Sequence, residues 1–319
     1  MVKADAYNHG LEGVIHISRD IIDRYGVATL NEAIKLRQLG VAKPITLFSF
    51  ETKDIKEIVA YNITPVVYNN ATLESVIKER YTNFDLKIDS GMNRFGFKDS
   101  AKINEVFMTL IDKKQLPHAI HTHFYSRESI SAQLNRFNSL LQPYERELLY
   151  SKKIVSASLG IDNGIYLDGV RLGLSAYRGA LEITSDILLI KEVNAFESVG
   201  YDGDFVPEKT TRIALVSGGY YDGIRRAYKG AKVLLNGHEA TIVGKVCMDT
   251  TIIDIGNIPA TTLDKVILID SSTIGSYIQI DNSSEYEVIT AIKGRGKRIY
   301  LYNGQKYDKS INKKSYLYE

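Results

Sequence analysis

Residues 26–50 read GVATLNEAIKLRQLGVAKPITLFSF. A short apolar run, Gly26 to Ala28, leads into Leu30 to Leu39, where apolar residues recur three and four apart as on one face of an amphipathic helix. A second β-branched run, Ile45 to Phe50, follows. Strand, helix, strand in this order is the crossover unit of a parallel sheet.

The rhythm extends in both directions. Further strand candidates are Val2 to Lys3, Pro65 to Tyr68, Phe84 to Ile88, Ala119 to Phe124, Ile154 to Ala157 and Val170 to Leu174. Further helical stretches are Leu11 to Tyr25, Ala101 to Ile111 and Ser129 to Leu149. Eight strands with helical crossovers predict an α/β fold, a (β/α)8 barrel of the TIM type spanning residues 1–182. Beyond it the texture changes to strand-like runs: Ile187 to Val193, Arg212 to Ser217, Ala231 to Leu235, Ile242 to Met248, Thr251 to Ile255 and Lys265 to Ile269. Helical periodicity nearly disappears, and the turn dipeptides Asn236-Gly237 and Asn303-Gly304 punctuate the stretch. Residues 183–319 therefore read as a mainly β C-terminal domain. The basic run Lys293 to Arg298 (KGRGKR) reads as a solvated loop, with an anion-binding loop as the alternative.

Composition narrows the function. Forty Lys and Arg balance 38 Asp and Glu, so neither nucleic acid nor a membrane surface is the expected partner. No apolar run approaches the length of a membrane span, and Lys3, Asp5 and His9 interrupt any signal-peptide core. Cys247 is the only cysteine, which fits a reducing compartment, the cytoplasm. A small-molecule substrate is the remaining class.

In a barrel of this type, chemistry sits at the C-terminal ends of the strands. Lys3, Lys87, His123, Ser158 and Arg171 all fall there. The H-x-H pair His121 and His123 could begin a zinc site, because alternate strand residues share a face. Only four other histidines occur (His9, His16, His118, His238), without a second histidine–acid cluster, so no metal is expected. A lysine amine among basic neighbours can instead condense with an aldehyde cofactor, of which pyridoxal phosphate is the obvious one. Gly173-Leu174, after the last strand, is placed to receive its phosphate.

Several motifs bear this out by resemblance. Met1 to Gly10 (MVKADAYNHG) resembles the cofactor-lysine signature of the alanine racemases. Leu86 to Gly96 (LKIDSGMNRFG), His121 to Phe124 (HTHF), Gly169 to Gly173 (GVRLG), Gly219 to Gly223 (GYYDG), Gly244 to Asp249 (GKVCMD) and Tyr286 to Val288 (YEV) resemble that family's later motifs, in its order.

The resemblance implies a fold-type III pyridoxal 5'-phosphate enzyme working as a head-to-tail homodimer that interconverts L- and D-alanine and supplies D-alanine for peptidoglycan. It implies that Lys3 holds the cofactor and serves as base on one face of the substrate, with Tyr220 of the partner subunit as base on the other. Cofactor binding falls to Lys3, Tyr7, His123, Ser158, Arg171, Gly173 and Leu174, and substrate binding to Arg94 and Met248. Lys87 matches a position that is carbamylated in many members. Two opposed bases suit a reaction that must return a proton to the face opposite the one it left.

The chain also departs from the pattern. Members normally carry a strand, a helix and most of barrel strand one before the cofactor lysine, whereas here Met1 stands two residues before it. That segment is expected to be missing, through a mis-set start or clipping rather than, as the alternative, a real loss in a degenerate gene product. Asn8 replaces a usual glycine, Ile154 a histidine that supports the ring arginine, and Gly294 a phosphate-binding tyrosine. Around Ser158 (IVSASLG) and at Ser198 to Phe205 (SVGYDGDF) the match is loose. A racemase for serine or another amino acid, or an inactive cofactor-binding homologue, are the alternative readings.

Overall fold

The computed structural model describes residues 1–155, 157–293, 295–302 and 305–308. They fall into two compact units, one of Met1–Ala6 with Leu11–Ala176, the other of Tyr7–Gly10 with the chain from Tyr177 onward. Gly294 and the Asn303-Gly304 turn lie outside the described residues.

The first unit is a six-stranded parallel sheet in sequential order: β1 (Tyr25–Val27), β2 (Ile45–Leu47), β3 (Thr64–Val67), β4 (Asp85–Lys87), β5 (Ala119–His121) and β6 (Lys152–Ile154). Strands β1 to β5 are buried throughout, as expected of a sheet covered on both faces. The crossover helices follow the sequence. Thr29 and Glu32 form a reciprocal capping box at the start of Leu30–Gln38. Ser100–Asp112 buries Ile103, Val106, Phe107 and Leu110, one stripe at helical spacing. The expected long helix after Ser129 stops at Leu141, because Pro143 cannot continue it. The helix expected over Leu11 to Tyr25 likewise ends at Ser18, before Tyr25 opens β1.

Two of the eight expected strands do not form. Val2 donates one ladder-like bond to the Gly26 carbonyl (2.8 Å) before the chain turns left-handed, with φ of 53 to 67° from Ala4 through Asn8. Each such residue outside glycine costs about 1–2 kcal/mol, so neighbours must hold the turn. The Glu32 carboxylate accepts from the Ala4 amide (2.7 Å) and the Asp5 carboxylate from the Leu11 amide (2.9 Å). Lys3 thus opens a left-handed turn and does not end a strand. At the other edge, Arg171 to Gly173 is irregular and passes into a 3-10 turn at Leu174–Ala176, so the expected strand Val170 to Leu174 is also absent as a ladder.

Register sets the site. Lys87 on β4 pairs with His121 on β5, and His121 with Ile154 on β6, which puts these three residues in one layer.

The second unit is a closed antiparallel barrel of β7 (Ile183–Val193), β8 (Thr211–Ser217), β9 (Lys232–Leu235), β10 (His238–Ile242), β11 (Thr250–Asp254) and β12 (Lys265–Ile269). Asn236 and Gly237 take positive φ and join β9 to β10 as the tight hairpin their sequence signals. The strand expected over Ile242 to Met248 is displaced: β10 ends at Ile242 and the rest is loop. Two short helices, Ile274–Asp281 and Glu285–Ala291, escape the periodicity because neither exceeds eight residues. They cover a core that includes Val216, Val233, Ile253, Val266, Tyr228 and Tyr277. Among the described residues no helix is long and apolar enough to cross a membrane.

Gly96 ties the loop after β4 back onto that strand. Its φ is +122°, and a Cβ there would lie 2.8 Å from the Asp89 amide nitrogen and 2.9 Å from the Lys87 Cγ. Gly96→Ala should cost about 3 kcal/mol in urea unfolding, from overpacking plus backbone strain. A loss under about 1 kcal/mol would show that the loop relaxes freely.

Candidate active site

At the ends of β4, β5 and β6 the buried charges are organised around Arg171. Its Nη1 donates to the Ile154 carbonyl (2.8 Å) and to His121 Nδ1 (3.0 Å). Its Nη2 donates to the Thr122 carbonyl (2.6 Å), the Val155 carbonyl (3.3 Å) and His123 Nδ1 (3.3 Å). Among the described residues Nε donates to none, so one edge of the guanidinium is left for a ligand. Burial, then Arg94, lower its pKa to about 10, and it remains a cation at neutral pH.

His121 is wholly buried, and its Nε2 donates to Asp85 Oδ2 (2.9 Å). That carboxylate oxygen also receives Arg24 Nη1 (2.6 Å). A carboxylate only accepts, so Nε2 carries the proton and Nδ1 is free to accept from Arg171. Burial is the main force lowering the His121 pKa to about 4, and it outweighs Asp85. Sequence reading missed this arrangement. Where the resemblance expects a histidine, Ile154 offers its carbonyl, and the imidazole comes from the adjacent strand in the same layer. The signal was present in Asp85 and His121, but only strand register unites them.

The H-x-H pair does not frame an open metal position, since both rings turn a nitrogen to the Arg171 guanidinium. His123 is pushed down to about 3, by burial first and then by Arg171, Lys87, Arg94 and Lys3. Four expected site cations are therefore felt at one imidazole, which makes this rim a strongly anion-seeking place. Lys87 and Arg94 line one cleft with Asp89, Met92, Thr122 and His123. Lys87 is buried, and burial with the Arg171 and Arg94 charges holds its amine well below the usual lysine range. Lys3 itself is exposed.

Ser158 opens a short helix after β6, and its hydroxyl lies 3.1 Å from that of Ser175 and accepts from the Ser175 amide (3.4 Å). This joins it to the Gly173–Ala176 turn, closed by the Ala176 amide on the Gly173 carbonyl (3.0 Å). Among the described residues the amides of Gly173 and Leu174 have no acceptor. Two unspent amides beside a serine hydroxyl are a donor set for a phosphate, and the Arg171 Nε edge is one for a ring nitrogen, so these residues fit pyridoxal phosphate. Ser175 was not anticipated. Its place directly after Gly173-Leu174 was the available signal.

In the second unit, Tyr7 stacks obliquely on Tyr177 (5.4 Å) and Tyr286 (5.8 Å), and burial raises its hydroxyl to about 12. Asn8 suits its left-handed position and uses its amide on the carbonyls of Ile289 (3.0 Å) and Ile292 (2.5 Å). Tyr220 and Met248, separated by 27 residues of sequence, are neighbours. The Tyr220 amide donates to the Cys247 carbonyl (2.9 Å) and the Tyr221 amide to that of Met248 (3.1 Å). Gly219 makes this approach possible, since a Cβ there would lie 2.2 Å from the Cys247 carbonyl oxygen. Both side chains stand exposed, Tyr220 at 43% and Met248 at 51%, available to a ligand or a second chain.

Two family models match the chain, "Alanine racemase, N-terminal domain" over residues 1–180 and "Alanine racemase, C-terminal domain" over residues 180–300. The alanine racemase of Lactococcus lactis subsp. lactis is 34% identical, over 94% of this chain and 89% of its own. The biosynthetic alanine racemase of Escherichia coli K12 is 32% identical, over 94% and 91%. The solved structure of alanine racemase from Clostridium difficile 630 superposes with a TM-score of 0.86 at 27% identity, over 96% and 89%.

The buried imidazoles give stability a definite pH dependence. Below the ordinary histidine pKa of 6.5 the unfolded chain binds protons that folded His121, at about 4, and His123, at about 3, refuse. Their contribution is complete above about pH 6.5 and is lost as pH falls toward those folded values. Between about pH 7 and pH 5 each should remove about 2 kcal/mol from the unfolding free energy, and His121→Gln should flatten that slope by about half. An unchanged slope in the variant would mean that His121 is charged in the folded state.

Proposed function

Since this chain belongs to the alanine racemase family, we propose that it interconverts L- and D-alanine with pyridoxal 5'-phosphate, as a homodimer in the cytoplasm, and so supplies D-alanine for peptidoglycan. The observation that carries the reading is the rim where, among the described residues, Arg171 keeps Nε unspent and the Gly173 and Leu174 amides stand open beside Ser158.

When bound, pyridoxal phosphate supplies an electron sink conjugated to the α-carbon of the amino acid. Gly173, Leu174, Ser158 and the Tyr7 hydroxyl would hold its phosphate, and His123 and Arg171 would bind its ring. A guanidinium has no acceptor and keeps its protons, so Arg171 would offer a ring nitrogen a donor and take no proton from it. Lys3 would anchor the cofactor and move the α-proton on one face. Tyr220 of the partner subunit would do so on the other, and Arg94 with the amide of Met248 of the partner subunit would hold the carboxylate.

The test is α-proton exchange of L- and of D-alanine in deuterium oxide with added pyridoxal phosphate, read by NMR and chiral chromatography. Loss of the α-proton with inversion is expected. Lys3→Ala should abolish it, and Tyr220→Phe should lower inversion by about 10²–10⁴-fold while leaving exchange of one enantiomer. Exchange with serine and none with alanine would move the substrate, and no exchange with either would overturn the reading.

Lys87 fits a carbamate. A lysine held below its usual range gives up its proton more readily, and the amine then adds carbon dioxide at nitrogen and releases one proton, leaving an anion that the Arg94 and Arg171 charges favour. With isotope-labelled bicarbonate, a carbamate carbon resonance should appear and vanish in Lys87→Met. Activity unchanged after exhaustive removal of carbon dioxide would argue against it.

A further inference from the structure

The described residues of the basic run Lys293 to Arg298 are mostly exposed, as a solvated loop is, yet the arginine at its centre is paired with carboxylates of this chain. Arg295 grips Asp222 with a fork, Nε to Oδ1 at 3.0 Å and Nη2 to Oδ2 at 2.7 Å. Its Nη1 reaches Asp249 Oδ1 at 2.9 Å, and its guanidinium lies 4.9 Å from the Tyr221 ring centroid. Asp222 ends the 3-10 turn Tyr220–Asp222, where its carboxylate also caps the Gly219 amide (3.1 Å). Asp249 directly follows Met248, and its carbonyl receives the Gly218 amide (2.9 Å).

One side chain therefore joins the turn that carries Tyr220 to the loop that carries Met248. The backbone repeats the join: Lys293 donates to the Asp222 carbonyl (3.0 Å), and Gly223, at φ +100°, would place a Cβ 2.4 Å from the Ala291 carbonyl oxygen. A planar fork on a carboxylate sets orientation as well as distance, which a lysine's point charge does not. Tyr220 has one rigid attachment on each side, the Cys247 carbonyl through its amide and Arg295 through Asp222.

Resting on the two-base reading above, we propose that Arg295 is a positioning residue that aims the Tyr220 hydroxyl, and that its loss disables one face of the reaction while sparing the face served by Lys3. If Tyr220 works in the site of a partner subunit, Arg295 travels with it, since both belong to the same unit.

The experiment measures early α-proton exchange of L- and D-alanine separately in the cofactor-loaded protein, for wild type, Arg295→Ala, Arg295→Lys, Tyr220→Phe and the Arg295→Ala/Tyr220→Phe double variant. Arg295→Ala should slow exchange of the enantiomer that depends on Tyr220 by about 10²-fold and leave the other within about threefold. Arg295→Lys should fall between. The double variant should be no slower than Tyr220→Phe alone, since the arginine acts through the tyrosine. In the cofactor-free chain, Arg295→Ala should also speed amide hydrogen exchange in residues 217–224 and leave the parallel sheet unchanged. Equal loss for both enantiomers, additive loss in the double variant, or unchanged amide exchange would each overturn the proposal. If Tyr220→Phe shows no preference between enantiomers, the two-base reading itself has failed, a result that Arg295→Ala does not mimic.

Discussion

A half-buried guanidinium set against backbone carbonyls and two imidazoles is the constraint on which the first unit's site depends. Arg171 lies in an irregular segment that forms no strand, so its position comes from what it holds: the carbonyls of Thr122, Ile154 and Val155 and the rings of His121 and His123. A buried cation is costly unless hydrogen-bonded, and hydrogen bonds to a charged group contribute about 2 kcal/mol each. Burial first, and the same cation after it, keeps both histidines neutral, and neutral rings can accept from it. Asp85, with Arg24, fixes the His121 tautomer from behind. The arrangement is self-consistent: the cation depresses the imidazoles, and the depressed imidazoles bind the cation.

Strain enters at the opposite edge of the sheet. Five consecutive non-glycine residues with positive φ cannot persist on local preference, and the carboxylates of Glu32 and Asp5 hold the turn through its amides. Lys3 is thereby presented at the start of a stiff element rather than on a free tail. The second unit solves a similar problem differently. A glycine with no room for a Cβ lets the Tyr220 turn lie on the 247–248 backbone, and an arginine fork secures its far side. In both places the side chain proposed to move a proton stands exposed while its backbone is tied down, an arrangement that suits proton transfer.

Much of the architecture was legible along the chain. Burial on both sheet faces made β1 to β5 read as short apolar runs, and stripe spacing found the crossover helices. Val2 to Lys3 and Val170 to Leu174 misread because local composition resembles a strand even where the backbone turns left-handed or goes irregular. The two helices of the second unit were invisible, since seven or eight residues give barely two turns of periodicity. Arg295 was seen as one charge in a basic run, because its partners Asp222 and Asp249 lie 73 and 46 positions away.

By itself, the sequence determined the order of elements, the family motifs and the set of reactive side chains, because these depend on residue type and near-neighbour spacing. Tertiary structure alone decided which of those side chains meet. His121 supports Arg171 because β4, β5 and β6 stand in register, and Tyr220 lies beside Met248 because Gly219 admits close backbone approach. Hydrogen bonds and charge–charge coupling act over a few ångströms of space, and separation along the chain carries no measure of that distance.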